Sequence, residues 1–341
     1  MGLHSDLTGT DLHEAFHYVQ TSDPGAVGAG KYWLDTTSSP YVLKRRNAGD
    51  SAWVTIGDGG GGGGTVMPGR CDGVLTLESG VPYSTTDQTA KTNLYFTPYK
   101  GNHVSLYTGS AWTDATFTEL TLSLSGLAAD TNYDVFLDDD GVTLSAVAWT
   151  NGTTRATALT LQDGAHVKSG DTTKLYLGTF RTTSTIGQCE DSVTKRYVWN
   201  NYNRKPRRFI LADSTDSWTY NTATLRSWNN STANRVQFVI GLSEEPVDLT
   251  FVATSNNSSA ASHGTGIGLD STSARATDSI SGGGAMSVAI PLTSTYHGYP
   301  GIGYHYLQLL EIGGSVGTTT FYGDANLTNV FKSGATGTIW A

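Results

Sequence analysis

Residues 93–136 most constrain the fold, because they alternate apolar and polar side chains between closely spaced turns. The segment TELTLSLS at 118–125 alternates leucine with threonine or serine, which is the period-two pattern of a strand with one exposed face. The sequences KGN at 100–102 and TGS at 108–110 lie where hairpin turns are needed. The stretch therefore predicts a meander of short antiparallel strands, in a domain that is either a meander or barrel-like.

The composition extends this all-β prediction to the whole chain. Only 15% of the 341 residues are charged, and 41 are glycine, so turns and weakly charged strands are expected throughout. Disorder is the competing interpretation. It is disfavoured because 38% of the residues are hydrophobic and 10% aromatic, which is enough to form cores that disordered chains lack.

Charge and cysteine content narrow the function classes. A net charge of −9 argues against a nucleic-acid-binding protein, since such proteins are usually basic. No apolar run is long enough to span a membrane, and the N-terminus lacks the apolar core of a secretory signal, so synthesis in the cytoplasm is expected. Cys71 and Cys189 are far apart and form no CxxC motif, and we expect two buried thiols.

Residues 5–20 predict one short N-terminal helix. Asp11 can cap it, with Glu14 at capping-box spacing, and Leu12, Phe16 and Val19 share one face. So short a helix is unstable alone. It must dock, either on its own chain or on a partner.

A small β unit and a flexible joint follow. Residues 31–57 predict three strands with a core too thin to be stable alone, which is a first indication of oligomerisation. The run GDGGGGGG at 57–64 has almost no backbone preference and predicts a tether. We therefore expect an N-terminal segment at 1–57, a glycine-rich joint at 58–69, and β domains at 70–208 and 209–341.

Three short segments match known functional motifs, but each lacks the surrounding residues that the function requires. The G-x-x-x-x-G-K match at 25–31 is followed by Tyr32 and predicted strands, not by Ser or Thr and a helix. The H-E-x-x-H string at 13–17 lies in a terminal stub with no third zinc ligand nearby. The sequence DDDG at 138–141 lacks the glycine and glutamate spacing of a calcium loop and predicts a β-turn. We expect no catalytic residue, no metal and no cofactor.

A basic and aromatic segment, KRYVWNNYNRKPRR, occupies residues 195–208. Such a segment can bind nucleic acid, or its arginines can meet acids across a subunit boundary. The net negative charge favours the second interpretation. Arg204, Arg207 and Arg208 are therefore predicted to lie at a subunit interface, near acids such as Glu190 and Asp191 of a neighbouring subunit.

Residues 209–341 predict about nine short strands, which favours a sandwich or jelly roll. The stretch 254–285 is expected to be a long polar loop. The stretch 294–305 is rich in aromatic residues that can stack on sugar faces or simply pack against the protein. The candidate glycan-binding residues are Tyr296, His297, Tyr299, Tyr304 and His305.

Residues 70–208 contain several segments that resemble a known protein module. The segments YDVFLDDDG, KLYLGTFRTTSTIGQCEDS and KRYVWNNYNRKPRR, together with LTGTDLHEAFHYV and KYWLDTTSSPYVLKRRN near the N-terminus, resemble structural proteins of tailed-phage and prophage appendages, such as tail or head fibres. The resemblance implies a virion protein made in the host cytoplasm, with Leu12, Phe16 and Val19 docking on other virion proteins. It also implies a homotrimer.

The expected function is thus a structural subunit of a fibre-like or spike-like phage appendage, anchored by its N-terminus and without enzymatic activity. A receptor-binding module that recognises host glycans at an appendage tip is the first alternative. A polysaccharide-degrading spike is less favoured, because the repeated rungs of a β-helix are absent from the sequence.

Overall fold

The chain forms two compact units, which divide between Val66 and Met67. The computed structural model describes residues 17–37, 39, 41–58, 66–327 and 330–341. These residues contain no α-helix, and their helical content is a 3-10 turn at Trp228–Asn230. The prediction of an all-β protein is confirmed for this part of the chain.

The N-terminal unit is a four-stranded sheet in the order β1-β2-β3-β4. Strand β1 runs parallel to β2, and the other pairs are antiparallel. The three strands predicted within 31–57 are present. The strands are β1 (His17–Gln20), β2 (Tyr32–Asp35), β3 (Val42–Arg46) and β4 (Trp53–Asp58).

The helix predicted for residues 5–20 needs a correction at its C-terminal end. Residues 5–16, with Leu12 and Phe16, lie outside the described part of the chain. Residues His17–Gln20 form strand β1, whose register pairs Val19 with Leu34. A valine and a tyrosine favour a pleated surface, and hydrogen bonding to β2 outweighs the weak helix propensity of so short a segment.

Twenty-six strands lie in the described residues of the larger unit, 67–327 and 330–341. Its first fourteen are β5 (Gly73–Thr76), β6 (Gln88–Lys91), β7 (Asn93–Pro98), β8 (His103–Tyr107), β9 (Trp112–Thr116), β10 (Leu120–Ser123), β11 (Asn132–Leu137), β12 (Leu144–Ala148), β13 (Leu159–Gln162), β14 (Ala165–Lys168), β15 (Asp171–Arg181), β16 (Cys189–Asp191), β17 (Lys195–Arg196) and β18 (Val198–Asn200). The remaining twelve are β19 (Pro206–Ala212), β20 (Ser217–Thr219), β21 (Arg226–Ser227), β22 (Arg235–Ile240), β23 (Val247–Asn257), β24 (His263–Leu269), β25 (Ser279–Ile280), β26 (Gly283–Gly284), β27 (Ile290–Gly298), β28 (Gly303–Ile312), β29 (Thr319–Tyr322) and β30 (Gly334–Trp340).

These strands form five sheets. The smaller ones are β10-β7-β5, the hairpin β8-β9, and β12-β11-β15-β14-β13 with β18 also paired to β15. An eight-stranded sheet has the order β26-β24-β28-β22-β17-β16-β6, with β21 added to β28. A seven-stranded sheet has the order β19-β30-β23-β27-β25, with β29 on β23 and β20 on β29. None of these sheets closes on itself within the described residues, so the barrel-like alternative is not observed.

The strands predicted for 93–136 are present, but their pairing is not that of a meander. Strand β7 pairs with β5 and β10, whereas β8 pairs only with β9 among the described strands. Alternation along a segment predicts that it is a strand and leaves its partner open. The turn predicted at 138–141 is confirmed, since the Gly141 amide donates to the Asp138 carbonyl at 3.0 Å.

The larger unit has two hydrophobic cores. The first contains Leu94, Phe96, Val135 and Phe180. The second lies between the eight-stranded and seven-stranded sheets, as in a sandwich, and includes Phe238, Leu307, Phe251 and Ile339.

The eight-stranded sheet crosses the domain boundary predicted at residue 208. It draws β6, β16 and β17 from one side of that position and β22 and β28 from the other. Phe136, Tyr176 and Trp199 from the first segment lie in the second core. Residues 67–341 accordingly form one compact unit.

The polar loop predicted at 254–285 is wrong in extent. Strand β23 continues to Asn257, and β24, β25 and β26 lie within the predicted loop. Strand β24 reads HGTGIGL, so it lacks the side-chain alternation that identifies a strand in sequence.

Candidate binding surfaces

The N-terminal sheet has one covered face and one exposed face. On the covered face, the rings of Trp33 and Trp53 meet edge to face at 5.5 Å, and Lys44 lies over Trp33 at 4.5 Å. The indole of Trp53 donates to Asp23 in the loop that precedes β2. These contacts form only a small core, as the sequence predicts for this unit.

The opposite face of this sheet presents apolar side chains to solvent, with the exposed Arg45 among them. Strand register places Val19, Leu34 and Leu43 in one row, and Val54 lies opposite Arg45 on the same face. Val19 is 68% exposed, Val54 51% and Leu43 38%. Exposed contiguous apolar side chains of this kind mark interaction surfaces. Of the residues predicted to dock on the virion, Val19 lies here, and Leu12 and Phe16 lie outside the described residues.

The arginines predicted at a subunit interface have acidic partners within their own chain. Arg204 pairs with Glu244 at 2.5 Å and with Glu245 at 2.8 Å. Arg207 pairs with Asp191 at 2.7 Å. Arg204 and Arg207 therefore need no acids from a neighbouring subunit to balance their charges, and the interface itself stays a prediction. Arg208 is exposed at the start of β19.

The aromatic residues predicted to bind glycans do not form one surface. The stretch 294–305 consists mainly of the end of β27 and the start of β28, whose side chains alternate between faces. Tyr296 and His305 are buried, His297 and Tyr299 are exposed, and Tyr304 is half-buried. The ring of Tyr304 packs against Arg181 at 4.0 Å.

The buried members of this set have polar atoms in the second core. The Nδ1 atom of His305 lies 2.8 Å from Asp270 Oδ2. Its Nε2 atom and the Tyr296 hydroxyl have no hydrogen-bond partner among the described residues. Burial, with smaller contributions from Asp278 and Asp270, raises the pKa of Tyr296 to about 12. This phenol therefore stays neutral at physiological pH and can donate a hydrogen bond.

An apolar depression of about 720 Å³ lies beside the turn between β27 and β28. Leu161 is exposed in it, and burial lowers the pKa of His166, so this imidazole is mainly neutral at pH 7. The sequence interpretation did not select His166, because no neighbouring residue forms a motif with it. The lining residues are Arg155, Ala158, Leu159, Thr160, Leu161, His166, Leu242 and Ile302.

A cationic groove of about 440 Å³ is formed by the segment 83–87 and the basic segment. Lys205, Arg207 and Arg208 line it together with Arg196. The sequence interpretation selected Arg207 and Arg208 for a different reason and missed Tyr83, which lies over a hundred positions away in the chain. Only the fold brings these residues together.

No group of His, Cys, Asp and Glu in the described part of the chain has an arrangement suited to a metal ion. The H-E-x-x-H residues His13 and Glu14 lie outside that part. Residues 25–31 lead into strand β2 and not into a helix. Within the described ranges, no helix has the length and hydropathy needed to cross a membrane.

Comparison with known proteins gives no family. No protein-family model matches the chain, and no curated protein sequence matches it. Among solved structures, an insecticidal delta-endotoxin of Bacillus thuringiensis matches with a TM-score of 0.23 and 7% identity, over 79% of this chain and 51% of the toxin. An exo-β-1,3-galactanase of Phanerochaete chrysosporium matches with a TM-score of 0.17 and 8% identity, over 88% of this chain and 62% of the enzyme. The chain thus spans about half the length of the endotoxin. Likenesses this weak carry no argument about fold or function.

Proposed function

We propose that this protein is a structural subunit of a tailed-bacteriophage particle, in a fibre-like or spike-like appendage. The N-terminal unit attaches the subunit to other virion proteins, and the larger β unit is exposed. The resemblance of residues 70–208 to appendage modules supports the setting, and the exposed apolar face of the N-terminal sheet supports the mode of attachment.

That apolar face is the observation on which the proposal depends most. A single four-stranded sheet has two faces, and here one of them presents Val19, Leu43 and Val54 to solvent. Covering apolar surface is favourable by roughly 25 cal/mol per Å². A partner that covers this face therefore stabilises the small unit and holds the chain on the particle at the same time.

The attachment can be tested with charged substitutions on this face. Leu43→Asp together with Val54→Asp places two carboxylates on the exposed surface without removing a buried side chain. Ala48→Asp, in the turn between β3 and β4, is a matched control because Ala48 is also exposed and lies outside the sheet. Phage particles are purified by density gradient from cells that express each variant, and this chain is quantified in them by mass spectrometry.

The double variant is expected to be soluble, folded and absent from particles, whereas Ala48→Asp enters them. Incorporation of the double variant at the wild-type level would show that this face is not the attachment surface. Absence of the wild-type chain from purified particles would remove the virion role altogether.

The subunit is proposed to be a homotrimer, a number that comes from the resemblance alone. Cyclic symmetry is usual for homo-oligomers, and dimers are the commonest. Light scattering of the purified chain decides this point. A mass near that of one 36.2 kDa chain at micromolar concentration would end the oligomer proposal, and a twofold mass would replace the trimer by a dimer.

The role is proposed to be non-enzymatic. Incubation of the purified protein with capsular polysaccharide of the host should release no new reducing ends. Release of such ends in proportion to protein concentration would favour the polysaccharide-degrading alternative instead.

A further inference from the structure

The cationic groove of the larger unit has the size and lining of a ligand site. Its volume of about 440 Å³ falls in the usual range of small-molecule sites. Four of its lining residues are cationic and one, Asp87, is acidic, in a chain whose net charge is −9. The complete lining is Tyr83, Ser84, Thr85, Thr86, Asp87, Val193, Arg196, Lys205, Pro206, Arg207 and Arg208.

Two guanidinium groups at the base of the groove share one carboxylate. Arg196 Nη1 lies 2.9 Å from Asp191 Oδ1, and Arg207 Nη2 lies 2.7 Å from Asp191 Oδ2. Both arginine side chains are largely buried. Burial is the main cause that lowers the pKa of Arg207; Arg196 lowers it further, and Asp191 opposes both. The site therefore holds more positive charge than its own acid neutralises.

Arg207 keeps hydrogen-bond donors available for a ligand. Its Nη2 donates to Asp191 and, at 3.4 Å, to the Ser84 carbonyl. Its Nε and Nη1 donate to no acceptor among the described residues, and neither atom is a buried unsatisfied donor. Because a guanidinium carries five N–H donors in a rigid fork, Arg207 can hold an anion while it stays paired with Asp191.

Lys205 adds positive charge to the groove, and Arg208 contributes its backbone carbonyl. The ammonium of Lys205 lies 4.8 Å from the ring centroid of Tyr83 and 4.5 Å from that of Tyr99. Within the described chain, neither Lys205 nor Arg208 forms an ion pair. The carbonyl of Arg208 accepts from Arg196 Nη2 at 2.8 Å, which fixes the backbone of this wall.

The opposite wall is rich in hydroxyl groups and anchored at both ends. Tyr83 donates its hydroxyl to the Asn203 carbonyl, and Asp87 accepts from the Val193 amide at 2.9 Å. Between these anchors lie Ser84 and two threonines at 85–86. The Oγ of Ser84 is buried without a hydrogen-bond partner among the described residues. A polar atom left in this way is costly unless a ligand or solvent satisfies it.

We propose that this groove binds an acidic saccharide. The sugar carboxylate lies between Lys205 and Arg207, and the sugar hydroxyls face the hydroxyl-rich wall at 84–86. Charge-assisted hydrogen bonds to a carboxylate are among the strongest that side chains form. The hydroxyl groups suit a polyhydroxylated ligand better than a simple inorganic anion. A confined groove on an acidic chain also differs from the extended basic surface that nucleic acids need.

The site is separate from the proposed attachment surface, since all of its residues belong to the larger unit. The test uses the full chain and oligogalacturonic acid as the probe, with its methyl ester as a neutral counterpart of the same length. Binding is measured by isothermal titration calorimetry at low salt. We expect the acid to bind and the ester to bind at least about tenfold more weakly. Added salt should lower the affinity for the acid.

Two variants locate the binding. Lys205→Gln should reduce affinity for the acid by about tenfold or more, since a hydrogen bond to a charged group has that size. Lys205 forms no ion pair among the described residues that folding would lose, and an unchanged thermal unfolding midpoint verifies this. Lys332→Gln, an exposed cation outside the groove lining, should leave the affinity unchanged.

Several outcomes would overturn the proposal. One is no detectable binding of oligogalacturonate at millimolar concentration, and another is equal binding of acid and ester. Equal loss of affinity in Lys332→Gln would assign the binding to general surface charge. Tighter binding of polyphosphate or of a single-stranded oligonucleotide than of oligogalacturonate would replace the saccharide by another class of anion.

Discussion

Arg155 Nε lies 2.7 Å from Asp134 Oδ2, in an ion pair whose acidic side chain is only 2% exposed. The other Asp134 oxygen accepts from the Thr179 hydroxyl at 2.7 Å. Arg155 Nη2 also donates to the Gly241 carbonyl at 2.7 Å. Since Asp134 is in β11 and Gly241 follows β22, this arginine ties the segment before residue 208 to the segment after it.

Loss of this arginine should strongly destabilise the larger unit. Arg155→Gln leaves Asp134 buried without its charge partner, which typically costs about 3–5 kcal/mol. Burial raises the pKa of Asp134, and Arg155 opposes that effect, so without Arg155 the carboxyl protonates more readily. The deficit relative to wild type should therefore shrink as the pH falls. Urea unfolding of the full chain at several pH values measures both effects.

Arg70→Gln provides a matched control for Arg155→Gln. Arg70 pairs with Asp72 at 3.0 Å, but its side chain is 45% exposed, and exposed pairs contribute less than about 1 kcal/mol. If the two single variants lost the same stability, the Arg155–Asp134 pair would have no special role in joining the two segments.

Gly241 should tolerate no side chain. A Cβ there would lie 2.2 Å from the Tyr176 hydroxyl and 2.4 Å from the Trp199 ring. Overpacking of this kind costs about 1–3 kcal/mol or more, so Gly241→Ala should lower the urea midpoint clearly. Gly152→Ala is the comparison, because nothing lies within 4 Å of a Cβ at that position. Unchanged stability in Gly241→Ala would contradict the packing described for this part of the core.

The sequence predicted most strands of the larger unit and few of their partners. Alternating apolar residues identify β7, β10 and β22, because a strand with one buried face must alternate. Pairing between distant strands, such as β17 with β22, depends on which faces fit together after collapse. Strand β24 escaped prediction because it is rich in glycine. There, a Cβ at Gly268 would meet the Ser271 carbonyl at 2.4 Å, so close backbone packing and not side-chain pattern selects the residue.

For the candidate sites, too, local features could be predicted from the sequence and long-range contacts could not. The basic segment was recognisable from its composition, and its acids were assigned to a neighbouring subunit. In the structure, Arg196 and Asp191 are opposite each other in the short hairpin β16-β17, so spacing along the chain was a usable local signal. The hydroxyl-rich wall of the groove had no such signal, since Tyr83 reaches Arg207 only through the fold.

Both cysteines should be unreactive in the folded protein. Cys71 and Cys189 are free and buried, and burial raises the pKa of Cys71 to about 12 and that of Cys189 further. The thiolate is the reactive form, so iodoacetamide at pH 8 should leave both residues unmodified. Mass spectrometry after labelling in urea, where both should react fully, is the reference. Rapid labelling of either residue under native conditions would show that its part of the first core opens readily.

The stability of the N-terminal unit should fall at acid pH through Asp35. Its carboxylate accepts from Lys44 Nζ at 2.7 Å and from the Thr37 hydroxyl at 2.6 Å. These bonds, the one from Lys44 foremost, lower the pKa of Asp35 from 3.8 to about 2. Because the folded pKa lies below the unfolded one, the stabilisation is fully present above about pH 4 and is lost as the pH falls towards 2.

The Thr37 amide, which donates to Asp35 at 3.0 Å, reports this titration by NMR. We expect its shift to change with a midpoint near pH 2 in wild type and at a higher pH in Lys44→Met, and to lose this titration in Asp35→Asn. A wild-type midpoint at the ordinary aspartate value would show that the Lys44–Asp35 bond does not persist in solution.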